Sequence, residues 1–242
     1  MPALLAARDV SRRFGGVLVV DSLSFELDAG EALGIVGPNG AGKTTLLNLL
    51  AGDLAVDDGR ITFAEHDVTR MPAHHRCRLG IGRTAQIPRP FERMTAFENV
   101  LVGATFGRAG DTGSADDVAV EALRRIGMLR HANTMAGDLT LLQRKRLELG
   151  RALATTPRLL LLDEIAGGLT ESEVLELVDL IVEIRSSGIA VVWIEHIVHA
   201  LLRVVDRMIA MDFGHKVIEG EPEAVMASDE VRAVYLGQDV AT

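Results

Sequence analysis

Residues 32–51 read ALGIVGPNGAGKTTLLNLLA, and this stretch decides the fold. Its first five residues are an apolar run typical of a buried strand, and Lys43–Ala51 has the composition of a helix. Across the junction, residues 37–44 match the phosphate-binding pattern G-x-x-x-x-G-K-[ST]. Glycines in such a loop let successive backbone N–H groups surround phosphate oxygens, and the helix N-terminus adds positive potential. The stretch therefore predicts a nucleotide-phosphate site between a strand and a helix.

The same pattern assigns roles to individual residues of the loop. Lys43 is expected to contact the β- and γ-phosphates, and the Thr44 hydroxyl is expected to ligate Mg²⁺. The residues that we place at the phosphates are Gly37, Pro38, Asn39, Gly40, Ala41, Gly42, Lys43, Thr44 and Thr45.

A second motif carries two adjacent carboxylates. Residues 158–162 predict a buried strand that ends in Asp163 and Glu164. In an open parallel sheet, ligands bind beyond the carboxyl ends of the strands, where these two side chains would lie. Asp163 is expected to hold Mg²⁺ through water. Glu164 is expected to orient and deprotonate the water that attacks the γ-phosphate.

Further patterns extend the predicted sheet. Residues 4–36 alternate in the manner of strands, and Thr170 with Glu173 predicts a capping box that opens a helix. Residues 189–194 predict the next buried strand. Strand, helix and strand with unbroken apolar strands indicate a parallel sheet covered on both faces. In addition, residues 103–113 are rich in glycine and polar residues and form a compositional break.

Composition and charge limit the classes of protein that remain. The 242 residues carry 34 acidic and 25 basic side chains, a net charge of −9, which argues against broad electrostatic binding to nucleic acid. A single cysteine, Cys77, excludes an intrachain disulfide and fits a reducing compartment. No run reaches the ~18 apolar residues that cross a bilayer. We therefore expect a soluble intracellular chain whose association with a membrane depends on partners.

Together, these ordered motifs resemble the nucleotide-binding subunits of ATP-binding cassette transporters over nearly the whole chain. The resemblance implies an α/β fold: a P-loop NTPase core with a mostly parallel sheet, an N-terminal antiparallel β subdomain and an inserted helical subdomain. It implies one domain over residues 1–242. In that domain, residues 1–86 and 151–242 form the catalytic core with the β subdomain, and residues 87–150 form the helical subdomain.

The resemblance also implies roles for three residues outside the two motifs. Gln86 corresponds to the glutamine that contacts Mg²⁺ or the attacking water and couples to the membrane subunits. His196 corresponds to the switch histidine at the γ-phosphate, and Phe14 to the aromatic residue that stacks on adenine. Each has a structural alternative: a surface glutamine, a structural histidine and a core phenylalanine.

Within this superfamily, residues 12–16, 91–100 and 231–237 resemble the ATPase subunits of branched-chain and hydrophobic amino acid importers. The resemblance implies ATP and Mg²⁺ as cofactors. It also implies two transmembrane permease subunits, a second ATPase subunit and, indirectly, an extracytoplasmic solute-binding protein as partners, with no nucleic acid. The chain would then lie peripherally on the cytoplasmic face of the cell membrane. Related importers carry amides, urea or small aromatic acids, so the cargo stays open.

The sequence departs from the family in its signature loop. Where the family usually carries Leu-Ser-Gly-Gly-Gln, residues 139–143 read Leu-Thr-Leu-Leu-Gln. The resemblance puts Thr140 and Gln143 at the nucleotide that the partner ATPase subunit holds, whereas Leu142 restricts the backbone where a glycine is usual. In one interpretation, the composite site built with this loop is weak and the partner is a different ATPase subunit. In the other, Leu142 points away from the nucleotide, both sites work and a homodimer suffices.

Three functions follow from these patterns. The leading hypothesis is an ATPase that powers import of a small solute through separate membrane subunits. The alternative is a nucleotide-gated docking subunit with a degenerate signature loop and little turnover. A soluble DNA-repair or translation ATPase is disfavoured, because the sequence has no long coiled-coil insertion, no second cassette and no basic stripe.

Overall fold

A computed structural model of the chain describes residues 2–107 and 113–236. The strands are β1 (Leu5–Phe14), β2 (Val17–Leu27), β3 (Ala32–Val36), β4 (Asp58–Phe63), β5 (His66–Asp67), β6 (Ile81–Arg83), β7 (Leu159–Asp163), β8 (Ala190–Ile194), β9 (Arg207–Asp212) and β10 (His215–Gly220). The helices are α1 (Lys43–Ala51), α2 (Ala73–Leu79), α3 (Ala96–Phe106), α4 (Ala115–Arg125), α5 (Leu141–Leu153), α6 (Glu171–Ser186), α7 (Val198–Leu202), α8 (Pro222–Ala227) and α9 (Asp229–Leu236), with short 3₁₀ turns at Leu129–His131 and Ala136–Asp138.

The larger sheet has the strand order β10-β9-β3-β8-β7-β6. Strand β3 pairs in parallel with β8 and β9, and β7 pairs in parallel with β6 and β8, whereas β10 is antiparallel to β9. All residues of β3, β7 and β8 are buried. This confirms the predicted parallel sheet. The carboxyl ends of these three central strands lie at the same edge, so Gly37, Glu164 and Glu195 follow them side by side.

Alternate side chains of the central strands enter two different cores. In β7, Leu160 and Leu162 pack in the same cluster as the apolar residues of α3 to α6. Their neighbours Leu159 and Leu161 pack in the cluster that includes α1 and the smaller sheet. Because successive residues of a strand point to opposite faces, a strand buried on both sides must be apolar throughout. The run of four leucines is explained in this way.

The smaller sheet is antiparallel and has the order β2-β1-β4-β5. Its β1–β2 hairpin ends in the pair Phe14 and Val17, with Gly15 at a φ of +58° in the turn. A positive φ is readily adopted by glycine, which explains the tight turn here. Strand β2 then runs beside the P-loop, since the carbonyl oxygen of its residue Val19 lies close to Gly42. The antiparallel sheet expected from the resemblance is therefore next to the P-loop.

Local sequence explains how α6 begins. Thr170 is the N-cap, and its hydroxyl accepts a hydrogen bond from the Glu173 N–H at 3.4 Å. The Glu173 carboxylate in turn accepts a hydrogen bond from the Thr170 N–H at 2.8 Å. This is the predicted capping box. The apolar residues that recur at helical spacing in α6 are buried as well; they include Val174, Leu177, Val178, Ile181 and Ile184.

Helices α3, α4 and α5 follow β6 and precede β7, and they pack against one another. The glycine-rich stretch 103–113 begins inside a helix, because α3 continues through Gly103 to Phe106. A Cβ on Gly103 would lie 2.5 Å from the carbonyl oxygen of Arg151, so the glycine allows α3 and α5 to approach closely. Residues 108–112 of that stretch lie outside the described residues. Helix α5 extends to Leu153, so the proposed boundary at residue 150 falls inside it, and the division into subdomains stays a prediction.

Across residues 2–107 and 113–236, none of the helices combines the length and the apolar character that a membrane span requires.

Candidate active site

Two glycines of the P-loop, Gly37 and Gly42, could not be replaced by another residue without movement of the backbone. Gly37 has a φ of +146°, and a Cβ there would lie 2.2 Å from the carbonyl oxygen of Met211. Gly42 has a φ of +94°, and a Cβ there would lie 2.4 Å from the carbonyl oxygen of Val19. Gly42 is also the N-cap of α1 and has no side chain to occupy the first N–H groups of the helix. These N–H groups and the helix dipole are suited to bind an anion.

The Lys43 side chain hydrogen-bonds the start of its own P-loop. Its ammonium nitrogen donates hydrogen bonds to the carbonyl oxygens of Gly37 at 2.8 Å and Pro38 at 2.9 Å. Burial lowers the pKa of Lys43, and the nearby carboxylates of Glu164 and Asp163 oppose this shift. The lysine thus brings a positive charge to the loop that the sequence predicted to hold phosphates. A cleft of about 180 Å³ is lined by residues 39–45 with Val19 and Glu164.

Thr44 and Asp163 bring two oxygens together. The Thr44 hydroxyl donates a hydrogen bond to Asp163 Oδ1 at 3.3 Å, although the residues belong to α1 and β7. The Asp163 side chain is 1% exposed. Burial raises the pKa of Asp163, whereas the nearby guanidinium of Arg83 and the hydrogen bond from Thr44 lower it. A hydroxyl and a carboxylate are ligands that Mg²⁺ prefers, so the residues present fit this ion.

Glu164 lies between the two other predicted catalytic residues. Its Oε1 is 2.7 Å from Nε2 of His196, and its Oε2 accepts a hydrogen bond from Nε2 of Gln86 at 2.5 Å. The three residues follow β8, β7 and β6, which are neighbours in the sheet. Glu164 has a φ of +45°, and its N–H donates to the carbonyl oxygen of Ile194 at 2.8 Å. The structure therefore brings this predicted group together at one edge, with the Glu164 backbone in a conformation that costs energy.

Three other residues predicted to contact nucleotide, Phe14, Thr140 and Gln143, lie away from this group. Phe14, at the end of β1, is 43% exposed, and the guanidinium carbon of Arg12 is 5.0 Å from its ring centroid. Thr140 and Gln143 form the capping box of α5: the Thr140 hydroxyl accepts from the Gln143 N–H at 3.3 Å, and Gln143 Oε1 accepts from the Thr140 N–H at 3.0 Å. Leu141, the first residue of that helix, is 42% exposed. The signature loop in this chain is thus a capped helix start.

Sequence reasoning missed three residues that support the site. Arg83 donates to Asn48 and Asp53 through one nitrogen, and its other terminal nitrogen is 3.5 Å from Asp163 Oδ2. Glu195 is 2% exposed and accepts hydrogen bonds from the N–H groups of His196 at 2.9 Å and Ala166 at 3.0 Å. Tyr235 accepts a hydrogen bond from the Gly37 N–H. Arg83 and Glu195 carried one available signal, a charged residue at the end of an apolar strand.

The family model described as ABC transporter matches residues 20–167. The chain belongs to the ABC transporter family. It is an ATPase of this family, whose members hydrolyse ATP to drive transport, form dimers and work with membrane permease components. The predicted family and activity are confirmed.

Curated relatives match this family member over almost their whole length. The high-affinity branched-chain amino acid transport ATP-binding protein LivG of Salmonella typhimurium is 36% identical, covering 97% of this chain and 98% of LivG. The lipopolysaccharide export system ATP-binding protein LptB of Escherichia coli is 31% identical, covering 98% of each chain. A solved ATP-binding cassette of an ABC transporter, in its ADP conformation, is 28% identical with a TM-score of 0.88 and covers 98% of this chain and 100% of its own. The predicted fold class is therefore confirmed.

Proposed function

We propose that this ABC ATPase powers the import of a small solute: a branched-chain or hydrophobic amino acid, or a related small polar or aromatic compound. The similarity to LivG at 36% identity over nearly the full length supports this cargo. One geometric observation supports turnover by this chain. Glu164 is held between Gln86 and His196 at one edge of the sheet, beside the P-loop.

In the proposed reaction, the P-loop N–H groups and Lys43 bind the phosphates of ATP. Glu164 accepts the proton of the water that attacks the γ-phosphate. Its two oxygens are already engaged by Gln86 and His196, so these residues orient the carboxylate. His196 would also contact the γ-phosphate, as the family resemblance implies. When bound by Thr44 and Asp163, with Gln86 as a further ligand, Mg²⁺ would supply positive charge against the phosphate oxygens. Phe14 would stack on adenine.

The partners we propose are two transmembrane permease subunits, a second ATPase subunit and, through them, an extracytoplasmic solute-binding protein. The chain would then lie on the cytoplasmic face of the membrane. Thr140 and Gln143 would face the nucleotide of the second subunit. Their side chains already cap α5, and Leu141 is exposed beside them, which favours a distinct partner subunit over a second copy.

Two alternatives have observations of their own. The capped, leucine-containing signature loop favours a nucleotide-gated docking subunit with little turnover. The 31% identity to LptB favours an exporter, because that relative serves a lipopolysaccharide export system. The intact set around Glu164 argues against the first alternative, and the higher identity to LivG argues against the second.

The first experiment measures ATP turnover by the purified chain beside Glu164→Gln, with size-exclusion chromatography in Mg²⁺ and ATP. Turnover by wild type and an ATP-dependent dimer of Glu164→Gln would support a homodimer. If the chain binds ATP but neither dimerises nor turns it over, co-expression with its cognate second ATPase subunit is the next step. Persistent absence of turnover in that complex would favour the docking subunit.

Cargo and direction need the complete transporter in proteoliposomes. The solute-binding protein and labelled leucine are placed on one side of the membrane, and ATP is placed on the opposite side, with the ATPase subunits. We expect leucine to move to the side that contains ATP. Movement of solute away from ATP would contradict the importer. Failure to move amino acids, and failure to move small polar and aromatic compounds tested in the same way, would contradict the proposed cargo.

A further inference from the structure

A residue outside the predicted site touches the P-loop. The hydroxyl oxygen of Tyr235, on α9, accepts a hydrogen bond from the backbone N–H of Gly37 at 3.0 Å. The two residues are 198 positions apart in the chain. The reaction proposed above gives Tyr235 no role.

Gly37 has little freedom at this point. Its N–H is held by Tyr235, and its carbonyl oxygen accepts a hydrogen bond from Nζ of Lys43 at 2.8 Å. Its Cα is confined as well, because a Cβ would lie 2.2 Å from the Met211 carbonyl oxygen. A displacement of the Tyr235 hydroxyl would therefore be transmitted to Lys43 through Gly37 alone.

Helix α9 has an anchor that is independent of the P-loop. Val231 is 2% exposed and belongs to the main apolar cluster. Its N–H donates to the hydroxyl of Ser228 at 3.2 Å, just before the helix. Tyr235 lies four residues after Val231 and so shares its face of the helix. The position of the phenol is therefore set by packing of α9 against the core.

The phenol itself suits a neutral contact. Partial burial raises the pKa of Tyr235, and the hydrogen bond from Gly37 opposes this shift. The group is therefore uncharged at physiological pH, and it accepts from Gly37 as an ordinary hydroxyl.

We propose that Tyr235 is a positioning residue for ATP binding: through the Gly37 peptide, α9 holds Lys43 and the start of the P-loop in the conformation that receives phosphates. The inference rests on the nucleotide site proposed above. Coupling between two sites is reciprocal. If the contact between Tyr235 and Gly37 strengthens nucleotide binding by a given factor, bound nucleotide therefore stabilises that contact by the same factor.

The first test compares the full-length chain with Tyr235→Phe, which keeps the ring and removes the hydroxyl. Loss of one neutral hydrogen bond is expected to raise KM for ATP about 2- to 10-fold, and to weaken binding of a fluorescent ATP analogue by the same factor. The effect on kcat is expected to stay within about 2-fold, because the group does not touch the reacting atoms. Arg232→Ala is the matched control: Arg232 is on the same helix, and its side chain is 62% exposed. It is expected to leave both quantities unchanged.

A spectroscopic readout needs no substitution, because the sequence contains one tyrosine. In a chain labelled with ¹³C-tyrosine, every ring resonance belongs to Tyr235. We expect these resonances to shift when the ATP analogue saturates the protein. The amide of Gly37 is also expected to exchange its hydrogen faster in Tyr235→Phe than in wild type.

The proposal is overturned if Tyr235→Phe keeps the wild-type KM and analogue affinity while the tyrosine spectrum ignores saturating nucleotide. A variant that binds ATP normally but loses kcat would also overturn it, since the defect would then lie in the chemistry. Failure of the proposed function would look different, because the wild-type chain itself would then fail to bind the analogue.

Discussion

Replacing Gly42 with alanine tests whether backbone clearance builds the P-loop. Gly42 is the N-cap of α1 with a φ of +94°, and a Cβ there would lie 2.4 Å from the Val19 carbonyl oxygen. An L-residue in the left-handed region costs about 1–2 kcal/mol. Relief of the contact requires β2 or the loop to move, which adds strain of about 1–3 kcal/mol. We therefore expect Gly42→Ala to lower the free energy of unfolding by roughly 2–5 kcal/mol.

Gly40 offers a matched control in the same loop. Its φ is also positive, at +84°, but apart from Gly40 itself and its two chain neighbours, no heavy atom of the described residues lies within 4 Å of a Cβ built there. Gly40→Ala therefore bears only the conformational cost, about 1–2 kcal/mol, or a fall in Tm of about 2–8 °C for a chain of this size.

The assay is urea unfolding of wild type and both variants without nucleotide. It is followed by the fluorescence of Trp193, which is the one tryptophan in the sequence and is fully buried in β8. Binding of a fluorescent ATP analogue is measured in parallel and should be lost in Gly42→Ala. Equal destabilisation of the two variants would refute the reasoning, because the Val19 contact would then contribute nothing.

Other predictions follow from the same geometry. Glu164→Gln should lower the rate of phosphate release about 10²- to 10⁴-fold, because it removes the proposed general base, while binding of the ATP analogue is retained; turnover close to that of wild type would count against that role. Gly103→Ala should lower the free energy of unfolding measured in urea, because its Cβ would meet the Arg151 carbonyl oxygen at 2.5 Å. Alanine in a helix interior is usually more stable than glycine by about 0.5–1 kcal/mol, so a gain in stability would mean that α3 and α5 are not in close contact. Removal of Mg²⁺ with EDTA should stop turnover and leave the unfolding midpoint without nucleotide nearly unchanged, because Thr44 and Asp163 already satisfy each other; metal-independent turnover would contradict the magnesium site.

Local signals in the sequence predicted several elements accurately. The helix expected over Lys43–Ala51 has those bounds in the structure, and the capping box of Thr170 and Glu173 opens α6 as expected. Both features depend on residues within one helical turn, so no distant contact is needed to specify them. The burial of β7 was also predictable, because an unbroken apolar strand must be covered on both faces.

Local composition misled where tertiary packing decides. Gly103 is the first residue of a glycine-rich stretch, yet it lies inside α3, where α5 passes too close for a side chain. A short sequence pattern does not predict which distant segment of the chain will pack against it.

By itself, the sequence determined that this chain has a P-loop between a strand and a helix, a carboxylate pair after a buried strand and a parallel sheet to join them. These features follow from residue type, spacing and periodicity along one segment. Only the tertiary structure decided that Glu164 meets both Gln86 and His196, that Arg83 faces Asp163, and that Tyr235 holds Gly37. Each of these contacts joins segments that are distant in the chain, and their geometry is set by the strand order and by the packing of helices on the sheet.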